Sequence, residues 1–239
     1  MMKKILLLPF LILSLTFTYG QETTWNYPIK PGTKEWGSLE NNTEKINVCQ
    51  IPIEILHSIN TEDLLLICLD YPLLPDIYAF NYIVDGFEKF ENDFNGFREL
   101  ICRKDIVDVI LKEYSKQSIL DYPKDGTIIE IGNYILRYSF MELFISNQQI
   151  LNKIDTETKK EIIRTFLITR ENRDELIDLH LFIGMKTSYF VIGNIIYYNL
   201  KNDKKNECLE VLNFLEKGGF PSPDIIERLD EATNNYING

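Results

Sequence analysis

The chain has 239 residues, 36 Asp+Glu against 25 Lys+Arg, and a formal net charge of −11. With 45% hydrophobic and 12% aromatic residues it can bury a core and is not a disordered chain, and its length suits one ordinary domain or two small ones. The acid excess excludes phosphate-backbone binding and docking on anionic lipid as leading functions, because both need clustered Lys and Arg.

Residues 1–20 read as an export signal. Lys3 and Lys4 supply a positive start, Ile5 to Phe17 an apolar stretch, and Thr18-Tyr19-Gly20 small residues at −3 and −1 relative to a cut before Gln21. The stretch is short for a bilayer span, and no basic stop-transfer segment follows it. No cysteine follows the cut directly, so the expectation is a soluble exported protein, periplasmic or extracellular. Removing the two lysines leaves a mature chain of 219 residues at −13. The mature chain divides into a polar extended arm over 21–42, punctuated by Pro28, Pro31 and Gly32, and a single all-α domain over 43–239.

Isoleucine is abundant (33 residues) and alanine almost absent (Ala79 and Ala232), so isoleucine counts do not vote for strands and periodicity must decide. It decides for helix. Thr43 can cap a helix to about Gln50, Pro52 suits the first turn of one ending near Asn60, and Thr61 can cap Glu62 to Asp70. Tyr71-Pro72 closes that run and starts Leu73 to Asn81. From position 83 apolar residues fall at 83, 87, 90, 94, 97 and 101, interrupted at Asn95-Gly96, which predicts two helices with a kink or tight turn between them. Asp105 can cap Ile106 to about Ser118.

Ile128 to Ser146 is apolar on almost all sides but carries Glu130, Asn133, Arg137 and Glu142, which fits a central bundle helix and not a bilayer one. Thr156 can cap an amphipathic helix with Ile162, Ile163, Phe166 and Leu167 on its apolar side; further helices are expected over 171–184, 188–200, 204–217 and 223–236. Gly218-Gly219 stops the one before last. The predicted fold is all-α: about ten short helices in stacked antiparallel pairs, forming an α/α superhelix of HEAT or TPR type or an irregular multi-helical bundle. Tyr-Pro at 27–28, 71–72 and 122–123 has the spacing of a helical repeat.

Tyr27-Pro28-Ile29-Lys30-Pro31-Gly32-Thr33, Glu35-Trp36, Cys49-Gln50-Ile51-Pro52, Tyr71-Pro72, Asp76-Ile77-Tyr78-Ala79-Phe80-Asn81, Asp85-Gly86-Phe87 and Phe94-Asn95-Gly96 together resemble a family of exported proteins of Bacteroides-type gut bacteria. The likeness covers about residues 27–105. It implies an exported compartment and an all-helical fold, and it carries over no reaction and no catalytic residue.

Residue chemistry is sparse. The two histidines, His57 and His180, are the candidates for an enzyme site. Glu54-x-x-His57 matches half of a carboxylate di-iron motif, but Ile177 stands three residues before His180, so the second half is missing. There is no HExxH, GxSxG or phosphate-loop motif, and no cofactor is expected. Glu91 to Gly96 copies the start of an EF-hand loop, yet Cys102 falls where the closing carboxylate belongs, so a helix break is the better reading. Pairs such as Asp85/Glu88 and the Asp174/Glu175/Asp178 group read as solvated helix faces. The four cysteines, Cys49, Cys68, Cys102 and Cys208, include no CxxC; Cys68 and Cys102 follow apolar runs, which favours burial as free thiols over disulfides.

Trp25, Tyr27 and Trp36 in the polar arm form a candidate contact surface, with packing back onto the helices as the alternative. The leading functional expectation is a binding module for a protein or envelope component, with no nucleic-acid partner and no membrane insertion of the mature chain. The alternative is a hydrolase or lyase acting on an envelope or dietary polymer. That reading requires a cleft gathering His57 or His180 with carboxylates and a tyrosine.

Overall fold

A computed structural model describes residues 25–116, 126–174, 184–197 and 209–239. Residues 1–20, read above as an export signal, and His180, Cys208 and the third Tyr-Pro lie outside the described residues. Within them the fold is all-α, a multi-helical bundle of packed pairs. In chain order the helices are α1 (Lys34–Gly37), α2 (Asn42–Val48), α3 (Ile53–Ser58), α4 (Thr61–Leu69), a 3-10 turn (Leu74–Ala79), α5 (Ile83–Asp93), α6 (Asn95–Cys102) and α7 (Ile106–Lys116). Then come α8 (Ile128–Ser146), α9 (Gln148–Leu151), α10 (Thr156–Asp174), α11 (Gly184–Tyr197), α12 (Leu209–Lys217) and α13 (Pro223–Asn238). None of these helices is long and apolar enough to cross a membrane.

The boundaries differ from the predicted ones mainly at caps. Asn41, not Thr43, opens α2: its Oδ1 accepts from Glu44 N, while the Glu44 carboxylate accepts from Glu40 N and Asn41 Nδ2. Asn60 opens α4 by accepting from Asp63 N, which leaves the Thr61 hydroxyl to donate to Asp105 on the next layer (2.7 Å). Asp155 opens α10 by accepting from Thr158 N. In each case an Asn or Asp one or two residues upstream reaches the free helix N–H groups and takes the role from a threonine. The arm is not extended throughout, because Thr33 caps the single turn of α1. Leu74–Ala79, bounded by Pro72 and containing Pro75, tightens to 3-10 geometry. Cys102 is exposed at the end of α6, beyond the stripe formed by Phe97, Leu100 and Ile101. Cys49 and Cys68 are buried and free, and burial pushes the Cys49 thiol up to about 12.

The break between α5 and α6 is held by a polar clasp. Ile51 N donates to Asn95 Oδ1 (3.0 Å) and Asn95 Nδ2 donates to Ile51 O (2.7 Å). Asn95 N donates to Gln50 Oε1, and Gln50 Nε2 donates to Asp93 O. The carbonyls and N–H groups left over by the break are thereby matched to the α2–α3 turn, which is why two helices form where one stripe runs. Around it packs an aromatic core: Tyr71 stacks on Phe94 at 4.4 Å, Phe97 meets Phe94 edge-on at 4.9 Å, and Phe140 and Phe144 of α8 close against Phe97 and Phe87.

Side-chain ties between layers recur at a characteristic distance along the chain. Tyr27 OH donates to Ile67 O, 40 residues on; Ile51 meets Asn95 after 44; Thr61 meets Asp105 after 44; and Glu142 meets Ser188 after 46. α8 and α11 run side by side in the same sense, since Glu142 meets Thr187 and Ser188 while Ser146 shares a cleft with Phe190 and Asn194. Gly218 ends α12 at φ +64, a left-handed turn that favours glycine, and places the chain against Ile83 and Val84 at the start of α5.

Candidate functional site

The aromatic arm is packed onto the helices. Tyr27 is 5% exposed, its hydroxyl donates to Ile67 O at 2.9 Å, and its ring meets Trp25 edge-on at 4.5 Å. Burial, with the nearby thiols of Cys68 and Cys49, holds its phenol far above the ordinary range. Trp36 is half-buried with the Lys45 ammonium 5.7 Å over its ring. Of the three arm aromatics, Tyr27 is therefore part of the core, and Trp25 and Trp36 keep partial exposure. His57 is exposed on α3 and lines none of the three clefts described below. Among the described residues no three His, Cys, Asp or Glu side chains gather as metal ligands.

Two polar arrangements lie on the seam between α8 and α11. The inner one is centred on Glu142, which is wholly buried. Its carboxylate accepts from Tyr114 OH (2.6 Å), Ser188 Oγ (2.7 Å) and Thr187 Oγ1. Hydroxyls of α7 and α11 thus converge on one carboxylate of α8, which satisfies a group that would otherwise be costly to bury. With no exposed surface, Glu142 reaches no substrate.

The outer arrangement, one turn further along α8, is open. A cleft of about 350 Å³ lies between α5, the α8–α9 junction, α11 and α12. Its size is at the lower end of the range for ligand sites, roughly 300–1,000 Å³. Phe87, Leu143, Phe190 and Leu215 line it and are buried, so they form its floor; Glu88, Gln149 and Glu216 line it and are exposed, so they form its rim. Val84, Phe87, Glu88 and Glu91 reach it together because residues three and four apart share one face of α5.

The helix break at Asn147 shapes the wall. Asn147 Oδ1 caps α9 by accepting from Gln149 N at 2.8 Å, and its Nδ2 donates to Glu91 Oε2 at 3.2 Å. Gln149 Nε2 donates to Glu91 Oε1, also at 3.2 Å. The two amides steer the Glu91 carboxylate between them.

The lysines next in the chain to Glu88 and Glu216 are engaged elsewhere. Lys89 pairs with Asp93 at 2.5 Å, and the Lys217 ammonium sits 5.5 Å over the Tyr82 ring. Among the described residues no Lys or Arg lines the cleft, and Glu88 and Glu216 have no hydrogen-bond or ion-pair partner.

The other two clefts differ in this respect. One of about 520 Å³ between the arm, the end of α4 and α8 is lined by Lys30 and by the Arg137–Asp70 ion pair. One of about 200 Å³ between the α6–α7 and α9–α10 turns mixes Arg103, Lys104 and Lys153 with Asp108 and Asp155. Both carry cations of their own beside their acids.

Sequence reasoning missed the acid-rimmed cleft. Glu91 read as the first position of a failed metal loop and Glu88 as a solvated face, and nothing local to either announces that α12 and the α8–α9 break will meet them. The only signal in the sequence was the polar run Asn147-Gln148-Gln149 at the end of an apolar helix. No protein-family model, curated protein or solved structure matches the chain.

Proposed function

We propose that this chain is an exported binding protein that receives a segment of a protein partner in the cleft between α5, α8–α9, α11 and α12. The observation that carries the reading is the pairing of an apolar floor with a carboxylate rim that has no cation among the described residues. An apolar floor gains by excluding water, and uncompensated acids at its edge favour a partner of opposite charge. The net charge of −11 extends the same preference over the whole surface. Export is supported by the signal read in residues 1–20 and by the family resemblance of 27–105.

The test is a pull-down from native envelope and culture supernatant with tagged residues 21–239, run beside the charge-reversed variant Glu88→Lys/Glu216→Lys. Both substituted residues are exposed, so the fold tolerates the change. The expected result is a stoichiometric protein partner that survives about 0.3 M salt, where exposed charges beyond a few ångströms are screened, and that the variant loses. A partner retained by the variant, or none captured by either chain, overturns the reading.

A further inference from the structure

Resting on that binding reading, we infer that the cleft is built to take an arginine side chain presented by an extended peptide segment. Every charged side chain that lines it among the described residues is a carboxylate. Glu88 and Glu216 have no partner among the described residues, and each Glu91 oxygen accepts a single amide hydrogen bond. A carboxylate oxygen has room for about two such bonds, so one position on each Glu91 oxygen is left over. An occupant that matches these carboxylates therefore brings donors and positive charge, and among the described residues no cation lines the wall.

Three features select arginine over lysine. Asn147 and Gln149 grip Glu91 from both oxygens and fix the plane of the carboxylate. A fixed, planar carboxylate with one free position per oxygen matches the paired N–H groups of a guanidinium, whereas an ammonium uses one oxygen at a time. The floor is bordered by Phe87 and Phe190, apolar surface that suits the weakly hydrated guanidinium and the methylene stem behind it. The cleft's volume holds a side chain and its immediate neighbour, not a helix or a strand.

The segment flanking the arginine lies across the rim, where Glu88 on one wall and Glu216 on the other continue the acidic edge. An extended peptide with its arginine pointing inward is the form that reaches both. The neighbouring Lys89 and Lys217 do not compete for the seat, because each is already held by its own partner.

The experiment uses nitrogen-15-labelled residues 21–239 and four capped dipeptides: acetyl-Leu-Arg-amide, acetyl-Leu-Lys-amide, acetyl-Leu-norleucine-amide and acetyl-Leu-Glu-amide. The arginine peptide is expected to give saturable shifts at the side-chain amides of Asn147 and Gln149. The lysine peptide should bind at least about fivefold more weakly, and the norleucine and glutamate peptides at least about tenfold more weakly. Added salt should weaken the arginine peptide and leave the norleucine peptide unchanged. Glu91→Gln should cost about tenfold, and Glu88→Gln/Glu216→Gln, whose positions are exposed, should cost less while leaving the free spectrum unperturbed.

Equal binding of the lysine or norleucine peptide overturns the arginine assignment. So do shifts that map away from the cleft, or no shift with any peptide. The pull-down distinguishes the two failures. A partner lost on charge reversal together with equal peptide binding keeps the cleft and removes arginine; an arginine-selective cleft with a partner indifferent to charge reversal removes the proposed function instead.

Discussion

The aromatic core of the N-terminal layers and the seam between α8 and α11 bury similar side chains in opposite ways. Around Tyr71, Phe90, Phe94 and Phe97 the centre is carbon, and the polar ties of Asn95, Gln50 and Tyr27 close its edges. Along α8 and α11 the centre is a carboxyl group: Glu142 lies in the interior with hydroxyls of two other helices turned toward it. A carbon core specifies volume and tolerates repacking, while a buried carboxylate specifies partners and orientation. The first region is therefore an anchor whose details can drift. The second fixes how α8 and α11 lie, and with them the floor of the cleft one turn away.

The largest test of that contrast is Glu142→Ala, which strips the common acceptor from Tyr114, Thr187 and Ser188. A loss of about 3 kcal/mol or more in denaturant unfolding is expected, with Glu142→Gln costing clearly less because one acceptor oxygen remains. Equal costs for the two variants would show that packing, and not the polar network, sets the seam. Next is Gly218→Ala, at the joint between the two regions. The backbone there is left-handed, and an added Cβ would lie 2.4 Å from Ile83 Cγ2, so about 2 kcal/mol should be lost. If thermal unfolding is unchanged, α12 is not held against α5 in the way described.

A smaller and more discriminating pair is Tyr27→Phe against Tyr71→Phe. The Tyr27 hydroxyl donates to Ile67 O, and its loss should cost about 1 kcal/mol. The equally buried Tyr71 hydroxyl has no hydrogen-bond partner among the described residues, so removing it should be neutral or slightly stabilising. A reversed order would break the account of the carbon core.

The smallest effect belongs to Glu62, tied to Lys112 at 2.7 Å and Lys116 at 2.8 Å on α7. These hydrogen bonds, Lys112 first, hold its carboxyl at about 2 against an ordinary 4.5. A lowered folded value means the contribution is fully present above pH 4.5 and is lost as pH falls through about 2. Glu62→Gln should flatten the acid limb of the stability profile slightly, and salt should erase the difference, because the pair is exposed.

Much of this was legible in the sequence, and the parts that were not share a cause. Periodicity located α8 residue for residue, because an apolar run flanked by Thr127 and Asn147 leaves little freedom for its ends. The helix break at Asn95-Gly96 was readable from the interrupted stripe, but its clasp was not, since Gln50 and Ile51 lie about 45 residues away. Glu142 stood out as a charge in an apolar helix, yet its three hydroxyl partners belong to α7 and α11. The same limit hid the candidate site. Helix faces are written in local spacing, whereas a cleft is written in which faces meet. Tyr27 shows the converse: a polar stretch around it suggested exposure, and Cys49, Cys68 and Tyr71 enclosed it.

The spacing of the ties between layers has a consequence for how the molecule is made. A chain emerging from the ribosome can close Tyr27 onto Ile67, Ile51 onto Asn95 and Thr61 onto Asp105 as each later residue arrives, without waiting for the far end. Glu142 gains its hydroxyls once Ser188 is in place. The juncture of α12 with α5 is different, because Gly218 must return to Ile83, 135 residues back. The cleft needs Glu88 and Glu91 from the early chain and Leu215 and Glu216 from the late chain. The seat thus joins the early chain to the late chain, and a chain truncated before α12 would keep the ties of the N-terminal layers and have no complete place to bind.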